Sequence, residues 1–559
     1  MSIYDQQALI TTLRELKIID EKQLAEAIEA SANDHIPLDK ILIDKDLIAD
    51  ENIGKLIAEL LKIPFVRLQN IVIPPDILNI IPEVVAKKQK IIPFKIDKDG
   101  LHVALADPTN IQVKDSVEKK TGLPIKVYFA TDRDIFSALS LYSKNLKEAF
   151  ADVIAENAKI AKITAGEVDP PIIKIVDTIL NYAYQNKASD IHIEPTQIHS
   201  LVRFRIDGLL HDIITLPLGI HTQIVTRIKV LSKLRTDEHQ AAQDGKMQFQ
   251  TDFENLDIRV SIVPITQGEK LVLRLLSEKS RQFSLSDLGF PAQDLKKVEE
   301  AYNKPYGMIL STGPTGCGKT TTMYAILKHL NKRDVNIMTV EDPVEYEIPG
   351  INQIQVNLKT NLTFATGLRS ILRQDPNIVL VGEIRDPETA DIAINSAMTG
   401  HLVLSTLHTN DASTSLPRLL DMGIEPFLIA STVNVIIGQR LVRKIHLSCR
   451  VSLEVKKENI AKFLGKILTD QLFGSKNSLR LYQGKGCKLC HNTGFEGRIG
   501  IFEILILNDQ IRQAILNRKD AQTIKNLAVK NGMTTLLDDA FQKVQEGITT
   551  IEEIVRVTK

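Results

Sequence analysis

"GPTGCGKT", residues 313–320, is the stretch on which the reading of this chain turns. It fits G-x-x-x-x-G-K-[ST], a loop whose glycines let backbone N–H groups converge on phosphate oxygens. The apolar run "GMILST" (307–312) precedes it, and the helical pattern "KTTTMYAILKHL" (319–330) follows. Strand, loop and helix in that order are the setting a phosphate loop requires. The nucleotide-binding candidates are therefore Gly313, Pro314, Thr315, Gly316, Cys317, Gly318, Lys319, Thr320 and Thr321. Lys319 is expected to reach the β- and γ-phosphates of ATP, and the Thr320 hydroxyl to bind Mg²⁺. Cys317 reads as a small filler within the loop.

Outward from the loop, short apolar runs alternate with helical patterns: "GMILST", "VNIMTV", "NIVLVGE" and "HLVLSTLH". Strands that are apolar throughout and separated by helices predict an α/β domain, a parallel sheet buried on both faces. "NIVLVGE" (377–383) ends in a carboxylate, so Glu383 is expected at the strand's carboxyl end, where ligands bind in open α/β sheets. There it would polarise the attacking water or hold the metal's water shell. A second acidic strand end, "TVEDPVEY" (339–346), adds Glu341, Asp342 and Glu345 to the catalytic candidates. Charge on a transferred phosphoryl group is usually met by arginine. "GLRSILRQDP" places Arg369 and Arg373 four apart on one helix face, and "VRFRIDG" places Arg203 and Arg205 on one side of a strand.

The rest of the 559 residues exceeds one hydrophobic core and predicts several domains. Residues 9–57 contain a 29-residue repeat: Leu9, Leu13, Ile18, Ile19, Leu24 and Ile28 are matched by Leu38, Leu42, Leu47, Ile48, Ile53 and Ile57. Each copy reads as helix, turn, helix. The expected divisions are an N-terminal module with this repeat, 1–145; a linker, 146–168; an α+β domain, 169–284; the ATPase domain, 285–507; and a helical C-terminal region, 508–559.

Lys+Arg and Asp+Glu both count 69, so the chain lacks the basic excess expected of a nucleic-acid-binding protein. No apolar run is long enough for a membrane span, and "MSIYDQQALITTLRELK" shows no export signal, which predicts a cytoplasmic protein. Four cysteines cannot form a disulfide scaffold in a chain this long. "CKLCH" (487–491) has the form of a c-type haem attachment motif, but haem attachment normally follows export, so a metal knuckle is the better reading.

These motifs, in this order, resemble the secretion ATPases that power type II secretion and type IV pilus assembly. "SDIHIEP", "RFRIDG" and "QDGK" resemble that family's middle domain; "GPTGCGKTTT", "TVEDPVEY", "ILRQDPNIVLVGEIRDPETA" and "TGHLVLSTLHTNDA" resemble its nucleotide-site segments. Asn377 stands where the family more usually has Asp. The resemblance implies a homohexameric motor with a RecA-like core, hydrolysing ATP at the inner membrane beside a platform protein. It implies cross-subunit roles for Arg203 and Arg205, secondary ones for Arg369, Arg373 and Arg440, and phosphate sensing by His401 and His408.

It also implies a metal site of two Cys-x-x-Cys pairs. Here the first reads "HLSC", so His446, Cys449, Cys487 and Cys490 are the expected Zn²⁺ ligands, within a module spanning 443–500, and His491 is outside the set. The N-terminal module resembles domains that bind cyclic di-GMP through an Arg-Leu-Gly tripeptide, which both copies here lack; docking to a membrane-embedded partner is the stronger expectation. Pilus assembly is the first functional reading and type II secretion the second. A scaffold or cyclic di-GMP receptor with little turnover is the reading of another class.

Overall fold

The computed structural model describes residues 3–16, 18–34, 37–44, 47–48, 50–68, 71, 73–139, 142, 172–251, 254–277, 285–465, 469–470, 473–487, 490 and 492–558. The expected linker, 146–168, lies outside them. Two compact units emerge, one of Met1–Ile43 with Leu47–Gln282, the other of Asp44–Asp46 with Phe283–Lys559.

In the first unit the repeat forms four helices, α1 (Gln6–Leu16), α2 (Glu21–Asp34), α3 (Leu38–Asp44) and α4 (Asp50–Leu61). The repeated apolar positions face inward: Leu9, Leu13, Leu24, Leu38, Leu42 and Ile53 are all buried, whereas Ile18 is exposed. Strands β1 (Ile91–Asp97), β2 (Gly100–Leu105) and β3 (Ile125–Phe129) form a small sheet. β1 and β2 pair as an antiparallel hairpin, and β3 runs parallel to β2.

Six further strands follow: β4 (Asp190–Pro195), β5 (His199–Ile206), β6 (Leu209–Pro217), β7 (Gln243–Gln250), β8 (Asn255–Ile265) and β9 (Gly268–Leu276). They form one antiparallel sheet in the order β6-β5-β4-β9-β8-β7. Alternation sends Val202, Phe204, Ile258 and Leu273 into a core shared with the helices Ile172–Gln185 and His221–Leu231. The opposite face carries Arg203 and Arg205.

The second unit is built on a seven-stranded sheet. Its strands are β10 (Gly307–Thr312), β11 (Ile337–Glu341), β12 (Asn352–Gln355), β13 (Ile378–Val381), β14 (Leu402–Leu407), β15 (Val433–Ile445) and β18 (Phe495–Ile506), in the order β12-β11-β13-β14-β10-β15-β18. β10, β13 and β14 are buried at every residue, as strands covered on both faces must be. The sheet is parallel from β12 to β15, and β18 closes the edge antiparallel to β15. The four strands read from the sequence, β10, β11, β13 and β14, all run parallel, and the antiparallel β18 was not among them. β15 and β18 pair at ten positions, and between them in the chain lies a separate hairpin, β16 (Arg450–Lys456) with β17 (Ser478–Gly484). Four helices between Asp509 and Thr558 end the chain.

Candidate active site and metal centre

The phosphate loop leaves the carboxyl end of β10 and enters the helix Lys319–Leu330, whose N-cap is Gly318. Gly313 has φ 148°, and a Cβ there would stand 2.5 Å from the Gln439 carbonyl and 2.6 Å from Cys317 Sγ, so only glycine fits. Lys319 folds over the loop, its Nζ donating to the carbonyls of Gly313 (2.8 Å) and Pro314 (3.1 Å). Burial pushes its ammonium below the usual lysine range. The Thr320 hydroxyl is half-buried in the first helical turn and has no hydrogen-bond partner among the described residues. A hard oxygen in that position suits Mg²⁺. Cys317 is buried, and burial raises its thiol pKa.

Parallel register brings the ends of β10, β14, β13 and β11 to one edge. Glu383 stands one residue beyond Gly382, whose carbonyl accepts from Thr406 Oγ1 at 2.8 Å. The Glu383 carboxylate is nearly buried, and its Oε2 meets His408 Nε2 at 3.0 Å and Arg385 Nε at 2.6 Å. Its charge is felt at the Lys319 ammonium. Arg385 was not singled out from sequence; a cation two residues past the strand-end carboxylate was the available signal.

Glu341 behaves differently. It is buried, and its carboxylate accepts from Thr339 Oγ1 (2.6 Å), Gln353 Nε2 (3.2 Å) and the Tyr324 hydroxyl. Burial raises its pKa. Its oxygens are spent on tying β11 to β12 and to the helix after the phosphate loop. Asp342 is exposed and Glu345 half-buried beside it. His401 precedes β14 while His408 follows that strand, roughly 20 Å away at ~3.3 Å per residue. Its Nδ1 meets the Ser396 carbonyl at 3.0 Å.

Within the second unit, Arg440 lies beside the phosphate loop, donating to the carbonyls of Gln439 (3.2 Å) and Asn410 (2.5 Å). Arg369 pairs with Glu388 at 2.6 Å, and Arg373 caps the Arg369 carbonyl at 2.9 Å; both are exposed. In the first unit, Arg203 NH2 reaches both oxygens of Glu194 (2.8 and 2.6 Å), and Arg205 Nε lies 3.6 Å from Asp190.

The metal candidates converge. One ligand atom from each of His446, Cys449, Cys487 and Cys490 lies within 4.8 Å of the others. Cys487 Sγ is 3.5 Å from His446 Nδ1 and 3.7 Å from Cys490 Sγ, which is 3.9 Å from Cys449 Sγ. A tetrahedral zinc with Zn–S of ~2.3 Å has sulfur–sulfur edges of ~3.8 Å and sulfur–nitrogen edges of ~3.5 Å. Backbone N–H groups of Cys487 (3.2 Å) and Gly494 (3.3 Å) point at Cys490 Sγ, as they would toward a thiolate. His446 Nε2 faces Glu496 at 3.4 Å, a carboxylate placed as one commonly is behind a metal-bound imidazole. The four ligands clasp the base of the β16–β17 hairpin. That hairpin also has a core, with Phe473 and Leu481 packed on Phe541 and Val544. His491 lies outside the described residues.

A phosphate loop, a strand-end glutamate and its histidine on one edge of a mostly parallel sheet define a P-loop nucleotide hydrolase with a RecA-like core. The family is equally definite. Residues 166–556 match the model described as "Type II/IV secretion system protein", and residues 61–149 match the MshEN domain. The chain is 36% identical over 550 residues to the type IV pilus assembly ATPase PilB of Myxococcus xanthus, covering 96% of each chain. It is 37% identical over 568 residues to type II secretion system protein E of Xanthomonas campestris, covering 99% of this chain and 98% of that one. The solved ATPase DotB of Yersinia pseudotuberculosis shares the fold, with TM-score 0.51 and 20% identity over 70% of this chain and 96% of that one. The chain belongs to the type II/IV secretion system ATPase family and is an ATP hydrolase. No helix among the described residues is long and apolar enough to cross a membrane.

Proposed function

We propose that this ATPase drives type IV pilus assembly. The observation that carries the reading is the end-to-end match to a pilus assembly ATPase in a chain whose Lys319 and Glu383 share one sheet edge. In this reading the chain forms a homohexamer, peripheral to the inner membrane, whose N-terminal region, 1–145, docks on a platform protein. Type II secretion is the second reading, favoured by the equally long match to type II protein E. Deleting the gene in its host separates the two. Loss of surface pili with secretion intact supports assembly; loss of secreted proteins with pili intact transfers the protein to secretion.

At the site, Lys319 and the loop amides hold the β- and γ-phosphates, and Thr320 holds Mg²⁺, which supplies charge neutralisation on those phosphates when bound. Glu383 accepts the proton of the attacking water, and His408 orients its carboxylate. Arg203 and Arg205 complete a neighbouring subunit's site, and Arg440 serves its own. Glu341 acts as a positioning residue behind Asp342 and Glu345. Zinc is the metal that best suits three thiolates and one imidazole at these spacings, and its role is structural. Hydrolysis by purified protein, lost on Lys319→Ala, tests the site itself.

A further inference from the structure

Gln439 belongs to no motif singled out above, yet its side chain hydrogen-bonds to the loop itself and to the strand and helix on either side of it. It sits on β15, next to β10, and is 2% exposed. Its Oε1 accepts from Ser311 Oγ on β10 (3.1 Å) and from Thr322 Oγ1 on the following helix (2.9 Å). Its Nε2 donates to the carbonyl of Cys317, inside the loop, at 2.8 Å. Its amide nitrogen would lie 3.1 Å from a Cβ at Gly318, and its own carbonyl 2.5 Å from one at Gly313. Two glycines of the motif are thus packed against this one residue.

The bond to Cys317 has a stereochemical consequence. In a planar trans peptide the C=O and the N–H of the next residue point in opposite directions. Holding the Cys317 carbonyl outward against β15 therefore turns the Gly318 N–H toward the inside of the loop. Inward-facing amides are what a phosphate loop offers an anion. The two hydroxyl donors on Oε1 fix which end of the carboxamide faces the loop, because hydroxyl groups bound to Nε2 would leave Oε1 against the Cys317 oxygen.

We propose that Gln439 is a positioning residue for nucleotide binding: its carboxamide sets the direction of the Gly318 N–H toward the phosphates. Serving the loop rather than the reacting atoms, it governs affinity more than turnover. The inference rests on the nucleotide site proposed above.

The test uses the full chain, with KM and kcat for ATP measured beside thermal stability. Gln439→Met keeps length and removes the donor and the acceptor together; KM should rise about tenfold or more while kcat changes less than about threefold. Thr322→Val removes one hydroxyl from the same Oε1 but leaves the bond to Cys317; it should lower stability and leave KM within about twofold. Gln439→Glu keeps the acceptor and loses the donor, so its KM should exceed wild type at neutral pH. That defect should shrink as pH falls and the new carboxyl gains a proton to donate. If the methionine variant fails to fold, the near-isosteric glutamate variant and its pH series decide. Wild-type KM in either Gln439 variant, or an equal KM rise in Thr322→Val, overturns the proposal. Lys319→Ala is run in parallel: if it still binds ATP, the site assignment itself fails, whereas loss there with normal binding in the Gln439 variants rejects this inference alone.

Discussion

His408 and Glu383 meet side chain to side chain, Nε2 to Oε2 at 3.0 Å, from the carboxyl ends of the adjacent strands β14 and β13. The histidine is half-exposed and the carboxylate nearly buried. His408→Ala should lower kcat about tenfold and leave KM for ATP within about threefold, because it removes an orienting contact and no phosphate contact. Steady-state hydrolysis measures both. His401→Ala, made at the far end of the same strand, should leave turnover close to wild type.

The metal centre should hold one zinc per chain. Cys487→Ser should reduce the bound metal and loosen amide protection around residues 446–490, while nucleotide binding persists. His446→Cys should keep the metal, since four thiolates form an equally suitable set. Elemental analysis and hydrogen exchange read these outcomes. A haem absorbance band, or metal-free protein with unchanged protection there, would reject the assignment.

If Arg203 and Arg205 act across a subunit boundary, two inactive variants should complement. Subunits carrying Lys319→Ala supply intact arginines, and subunits carrying Arg203→Ala supply an intact phosphate loop. Verified mixed hexamers should recover part of the turnover. No recovery in such rings counts against a purely trans role.

Glu553 gives a pH dependence with a defined sign. Burial alone would raise its carboxyl, but hydrogen bonds from Arg556 and from the Arg443 side chain and backbone outweigh it and hold the pKa down at about 2. A carboxylate depressed from its ordinary 4.5 stabilises the fold above that pH. The folded state binds fewer protons than the unfolded one between the two values, so the contribution is lost as pH falls through that window. The helix Ile551–Thr558, held to β15 by these bonds, should lose about 3 kcal/mol of opening free energy between about pH 5 and about pH 2. Glu553→Gln should flatten that slope and weaken docking already at neutral pH, because Arg443 is then left buried without its partner. Hydrogen-exchange protection of that helix measures it.

Much of this was legible in the chain. β10, β13 and β14 are uninterrupted apolar runs beside helical patterns, so their burial and the loop between them follow from composition alone. The ends of β15 and β18 were not, because each owes its length to pairing with the other, some sixty positions away, a contact that no local pattern encodes. The polar residues were read too simply. Glu341 and Gln439 look like site or surface groups in sequence, but both are buried and bonded internally, and burial of a polar side chain depends on partners that are distant in the chain. The six strand residues between His401 and His408 already place the two histidines at opposite ends of β14.

The most direct test of the central claim is ATP binding and hydrolysis by Glu383→Gln beside wild type. The substitution keeps the shape of a side chain that contacts His408 and Arg385 and removes its basicity. ATP should bind with near wild-type affinity while turnover falls by about 10² or more. Hydrolysis at the wild-type rate by this variant would contradict the account.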